Sequence, residues 1–280
     1  MSAQVPVSSS SLAERINDAS VQEVLPDLAY KRLAIVNVVF VDAEEGWLLI
    51  DAGLTGTAGF IHSAAETRYG RHTRPRAIVL THGHFDHVGA LVELAGLWDV
   101  PVYAHKLEHP FLDGSACYAP PDPTVGGGLM ALVAPLYPRG PIDVAAHLKQ
   151  LPDDGTIPGL QHWKWLHTPG HSPGHISLWR ESDRTLVAGD AVITTRQESA
   201  YAVLTQEPEL HGPPMYYTPD WEKARSSARR IADLAPNLLL SGHGQPLEGN
   251  EMREGLRRLA LNFDHIAVPA QGRYVHDPST

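Results

Sequence analysis

Thr81-His-Gly-His-Phe-Asp-His-Val-Gly89 places three imidazoles and one carboxylate within six positions, directly after the apolar segment Ala77-Ile-Val-Leu80. An apolar quartet that gives way to small and polar residues reads as a buried strand ending in a loop. His82 and His84 stand two apart, so along an extended exit from that strand they point the same way, whereas Asp86 and His87 fall where the chain turns into a helix. One short segment thereby offers ligands to two adjacent metal ions. Three later segments each set a further ligand at a strand end: His171 in Thr168-Pro-Gly-His-Ser-Pro-Gly-His175, Asp190 in Val187-Ala-Gly-Asp190, and His243 in Leu240-Ser-Gly-His-Gly244. A histidine-rich surface loop would account for one such segment but not for four.

The order HxHxDH, then His, Asp and His, resembles the metallo-β-lactamase superfamily over nearly the whole chain. The resemblance implies an αββα four-layer sandwich with the site along one sheet edge, whereas periodicity alone supports only a mixed α/β class. Carried over by position, it implies that His82, His84 and His171 hold a first metal and Asp86, His87 and His243 a second, with Asp190 bridging them. Asp51, in Leu48-Leu-Ile-Asp-Ala-Gly53, matches the family's first motif, where the usual role is structural support rather than ligation. The motifs specify the fold far better than the reaction, because members cleave lactams, lactones, thioesters, phosphoesters and sulfate esters, and some are oxidoreductases.

Particular residues narrow the reaction. The superfamily's β-lactamases lack the carboxylate at the position of Asp190, so antibiotic hydrolysis is not expected. Glyoxalase II and persulfide dioxygenase relatives continue into a small-residue, Gly/Cys-rich segment, where this chain reads Asp190-Ala-Val-Ile-Thr-Thr-Arg196. The stretches 168–175 and 189–191 look similar to quorum-quenching lactonases, which carry a tyrosine just after the bridging Asp. Val192 and Ile193 stand there instead, leaving Tyr201, Tyr216 or Tyr217 as candidates for that phenol. The expected activity is hydrolysis of a small ester, lactone or thioester by a metal-bridging hydroxide, with Asp86 accepting its hydrogen bond or proton. Five His and two Asp suit two divalent ions; zinc is expected, and Fe, Mn or Co is compatible. An iron-dependent oxidoreductase, a phosphoester hydrolase and a metal-binding scaffold without turnover are the alternatives. His175, Thr81 and Ser241 are candidates to orient ligands.

Length and composition agree with a soluble enzyme. The 280 residues (30.5 kDa) are 43% hydrophobic and 19% charged, with no apolar stretch long enough for a membrane span. They read as a flexible arm (1–17) and one domain (18–280). A net charge of −10 without a basic window disfavours nucleic acid and leaves a small molecule as substrate; a homodimer is compatible. The lone Cys117 and a beginning without a basic and apolar leader pattern point to the cytoplasm.

The pattern predicts strands over 31–41 and 47–51 joined by a turn at 42–46, then helices over 60–69 and 88–97 around the strand 77–80. Further strands are expected over 101–104, 162–166, 176–180, 185–188 and 237–240. Thr218 reads as the cap of a helix running to 234, with Pro219 in its first turn, and 252–265 as the last helix. The stretches 106–159 and 194–217 are too long for connectors. They hold Phe111, Tyr118, Met130, Leu136, Tyr137, Tyr201, Met215 and Tyr216, and read as pocket walls.

Overall fold

The apolar run 31–41 is not one strand, because the chain reverses at Ala34 and Ile35. In the computed structural model, which describes residues 5–6, 21–126, 128–196 and 208–275, Leu28–Leu33 and Val36–Asp42 pair antiparallel with Leu33 opposite Val36. Ala34 takes φ 58°, a conformation usually given to Gly, Asn or Asp in two-residue turns, so the sequence carries no turn signal there. The next turn follows expectation: Ala43 N–H donates to Gly46 O at 2.9 Å, and Asp42 pairs with Trp47.

The described chain divides into two units. The first comprises Asp18–Tyr118 and Pro138–Lys164. Its seven-stranded sheet runs in chain order through Gln22–Leu25, Leu28–Leu33, Val36–Asp42, Trp47–Ile50, Ile78–Val79, Val102–Ala104 and Leu148–Gln150. The first four strands are antiparallel. The last three joins are parallel and need crossovers; the helix Ala58–Tyr69 supplies the first, and Phe85–Val88 and Leu91–Trp98 the second. Trp47 anchors the core, stacked on Tyr69 at 4.6 Å and edge-on to Trp98 at 5.8 Å, with its indole N–H on Thr73 Oγ1 at 2.9 Å. Because Ile50 pairs in parallel with Val79, both strands end at one sheet edge. Asp51 and the run from Thr81 therefore leave the sheet side by side.

The second unit comprises Met1–Asn17, Ala119–Tyr137 and Trp165–Thr280, and uses the same device. Ile176–Arg180 and Thr185–Val187 are antiparallel, Thr185–Val187 and Leu238–Leu240 are parallel, and Leu247–Glu248 closes the edge. Val187 stands opposite Leu240, so the loops that carry Asp190 and His243 leave adjacent parallel strands at the same edge. The fold class is thus mixed α/β, with two large sheets, a two-stranded pair and helices among the described residues, as expected.

The stretch 106–159 contains the short helices His109–Leu112 and Leu129–Val133, and its residues 119–137 belong to the second unit. Most of the arm 1–17, Tyr201 and much of 194–217 lie outside the described residues. Among the described residues no helix is long and apolar enough to cross a membrane.

The helix expected from Thr218 begins later, at Trp221–Leu234, capped by Asp220, whose carboxylate accepts from Lys223 N–H at 2.9 Å. Thr218 is occupied elsewhere, donating to Pro214 O at 2.8 Å. The helix buries Trp221, Ala224, Ser227, Ala228 and Ile231 on one face. It lies so close to the loop before His171 that a Cβ on Gly170 (φ 131°) would sit 2.3 Å from Ala224 N. Asp220→Ala should lower unfolding stability by about 1 kcal/mol, readable in denaturant titration, because it removes the cap's acceptor. An unchanged midpoint would show that the cap is immaterial.

Candidate metal centre

In the first unit the ligand candidates gather around Asp51. Its carboxylate accepts Thr81 N–H at 2.7 Å on one oxygen; on the other it accepts the Thr81 hydroxyl at 2.8 Å and meets His87 Nδ1 at 2.8 Å. These contacts fix proton positions. A carboxylate only accepts, so His87 carries its proton on Nδ1 and its Nε2 is left with a lone pair. The Thr81 proton is spent on Asp51, so its oxygen accepts from His82 Nδ1 at 3.1 Å, and His82 likewise presents an Nε2 lone pair. Asp51 itself adopts φ 61°, a left-handed backbone rare for a residue with a side chain.

The imidazoles are packed on one another. The His82 ring lies 4.7 Å from that of His84 and 4.2 Å from that of His87, centroid to centroid. His82, His84, Asp86 and His87 are all buried. Burying several polar rings and a carboxylate together is costly in a protein interior, and a shared cation offsets that cost.

In the second unit one oxygen of Asp190 lies between two imidazoles, 3.0 Å from His243 Nε2 and 3.4 Å from His171 Nε2. All three residues are buried. His171 Nδ1 faces Thr218 Oγ1 at 3.4 Å, and the Thr218 proton goes to Pro214 O, so His171 turns an Nε2 lone pair toward the carboxylate oxygen. A cation between them would satisfy both lone pairs. Two ligands of a tetrahedral ion with bonds of about 2.0–2.1 Å are themselves separated by ~3.3 Å. The donor set fits a divalent metal.

His175 supports Asp190 from behind. Asp190 N–H donates to His175 Nε2 at 2.8 Å, which puts the imidazole proton on Nδ1. From there the donors run to Thr168 Oγ1, Ser177 Oγ and Ala188 O, each step 2.9 Å. Ser241 Oγ donates to His243 O at 2.6 Å and contacts Thr194 Oγ1 at 3.0 Å, tying down the other loop.

His82, His84, Asp86 and His87 therefore assemble in one unit and His171, Asp190 and His243 in the other. Thr168, Ser177 and Thr218 carried no signal in the sequence; Thr218 read only as a helix cap. Of the wall residues, Tyr118 stands edge-on to the His84 ring at 4.4 Å and stacks on Phe111 at 3.8 Å. Tyr137 lies 6.5 Å from Tyr216, ring to ring, and Met215–Tyr217 forms a buried 3-10 turn leading into Thr218. Leu136 instead points to solvent, 83% exposed.

Comparison with known proteins places the chain in a family. The family described as Metallo-beta-lactamase superfamily matches residues 32–243. The Bacillus subtilis protein named Probable metallo-hydrolase YflN is 49% identical over 235 residues, covering 83% of this chain and 89% of its own. A Hydroxyacylglutathione hydrolase of Bdellovibrio bacteriovorus is 26% identical, covering 69% and 67%. The crystal structure of TTHA1623 in a di-iron-bound form is 27% identical with a TM-score of 0.54, covering 76% of this chain and 89% of that one.

Proposed function

The chain belongs to the metallo-β-lactamase superfamily, and from that membership we propose that it is a dinuclear metal-dependent hydrolase of a small ester, lactone or thioester. The observation that carries the reading is the Asp190 oxygen set between His171 Nε2 and His243 Nε2, which suits a carboxylate shared by two ions. His82, His84 and His171 would hold the first ion and Asp86, His87 and His243 the second. Bound there, two divalent ions supply a water of lowered pKa and a charge that polarises the scissile carbonyl.

The protein's own residues do the rest. Asp51 and Thr81 keep the protons of His87 and His82 on Nδ1, so that Nε2 is the donor nitrogen. Thr218 does the same for His171. Asp86 takes the hydrogen bond or proton of the attacking water, and no serine or cysteine nucleophile is required. Zinc suits this chemistry because it needs Lewis acidity and no redox change. The relative named as a hydroxyacylglutathione hydrolase supports a thioester among the candidates. The charge of −10 and the exposed Cys117 support a small-molecule substrate in the reducing cytoplasm.

A second reading, an iron-dependent oxidoreductase, is favoured by the di-iron form of TTHA1623. The metal-loaded protein should cleave at least one member of a panel of esters, lactones and thioesters, and lose that activity on chelation. Oxygen uptake with bound iron and no hydrolysis would instead establish the oxidoreductase. Silence across that panel and the phosphoesters, with metal bound, would leave only a binding scaffold.

A further inference from the structure

The two residues that flank Gly83 are proposed ligands, and Gly83 itself is gripped from a different part of the first unit. Its N–H is directed at Glu108 Oε2, 3.0 Å away, and Tyr118 Oη, 2.9 Å away, while the Tyr118 hydroxyl donates to the same Glu108 oxygen. Both partners are buried, Glu108 at 1% exposure and Tyr118 at 5%. The grip leaves no room for a side chain: a Cβ on Gly83 would lie 2.6 Å from Tyr118 Oη and 3.2 Å from Leu112 Cδ2.

We propose that Tyr118 and Glu108 are positioning residues for the metal site, clamping the Gly83 peptide so that His82 and His84 turn their rings to one side. The inference rests on the ligand assignment proposed above and adds two residues that the metal motifs do not contain. The clamp is itself rigid. Tyr118 stacks on Phe111 at 3.8 Å with the rings 19° from parallel, and its backbone N–H is held by Arg139 O at 3.1 Å. Glu108 immediately precedes the helix His109–Leu112, and its N–H donates to His105 O at 2.8 Å.

The pair also reaches one ligand directly, through the Tyr118 ring set 62° to the His84 ring at 4.4 Å. A buried carboxylate is expensive on its own, and the positive charge of a metal held by His82 and His84 would offset part of that cost. The single residue between the two ligands cannot by itself fix both ring planes. An external clamp on the intervening peptide does.

The test uses Tyr118→Phe and Glu108→Gln in the full chain, the second serving if the first fails to fold. Zinc affinity is read by competition with a chromophoric chelator, ligand geometry from the visible absorption of the cobalt-loaded protein, and fold stability from thermal melting of the apoprotein. Binding weaker by about 10-fold, at the low end for residues that orient ligands, with a changed cobalt spectrum is expected. Wild-type affinity and an unaltered spectrum, with only the apoprotein midpoint lowered, would reduce the pair to ordinary packing and overturn the proposal. If the unmodified chain takes up neither zinc nor cobalt, the ligand assignment itself fails and the clamp falls with it.

Discussion

Asp190→Ala will strip the protein of bound metal and lower turnover by at least about 100-fold, since groups that merely orient ligands already cost 10–100-fold. One oxygen of the Asp190 carboxylate lies 3.4 Å from His171 Nε2 and 3.0 Å from His243 Nε2. Its backbone N–H, not its carboxylate, is what His175 accepts, so the hydrogen-bonded chain through Thr168 and Ser177 survives the substitution. The variant should therefore fold while failing to hold its metal. Asp190→Asn keeps the shape and removes the charge, and should fail in the same way. Metal content per chain and kcat decide the matter; wild-type values for both would mean that Asp190 plays no part in the site.

Asp51→Asn should weaken metal binding by about 100-fold, the upper end for an orienting group, because one change of atom acts on two ligands. Both Asp51 oxygens accept hydrogen bonds. With the amide oxygen kept toward Thr81 N–H, the NH2 faces His87 Nδ1 and the Thr81 hydroxyl. It donates to both, which drives the His87 proton to Nε2 and reverses Thr81 so that His82 is protonated on Nε2 as well. The nitrogens meant for metal then carry hydrogen. The opposite amide orientation sets NH2 against Thr81 N–H and leaves a buried donor unmet, at about 1–3 kcal/mol of stability. Chelator competition measures the first effect and denaturant titration the second. A variant with wild-type metal affinity would show that the tautomers are set elsewhere.

The ligand residues were legible because each follows a short apolar run, and a strand end is where a side chain can be spared for chemistry. What orients those ligands was less so. Asp51 lies 30 residues before Thr81, and Thr218 lies 47 after His171, so their contacts depend on which strands and loops become neighbours. Parallel pairing of Ile50 with Val79 creates the first meeting, and no local pattern announces it. Thr218 was misread for a related reason: Thr-Pro-Asp is a plausible cap by composition, but the Thr218 hydroxyl is spent on Pro214 and His171, and Asp220 takes over the helix start. The hairpin at Ala34 escaped because an alanine holds the left-handed turn. Leu148–Gln150 escaped because Leu-Lys-Gln, half-buried and then exposed at the sheet edge, shows no apolar alternation. The αββα class came from the family resemblance, since short strands and helices in alternation fit many mixed folds.

The dinuclear assignment is tested most directly by the metal-to-chain ratio after the purified protein is saturated with zinc and freed of excess ion, measured by elemental analysis against protein concentration. Seven nitrogen and oxygen ligands, three for each ion and Asp190 for both, predict a ratio of two. A ratio that stays at one under saturating zinc would contradict the account.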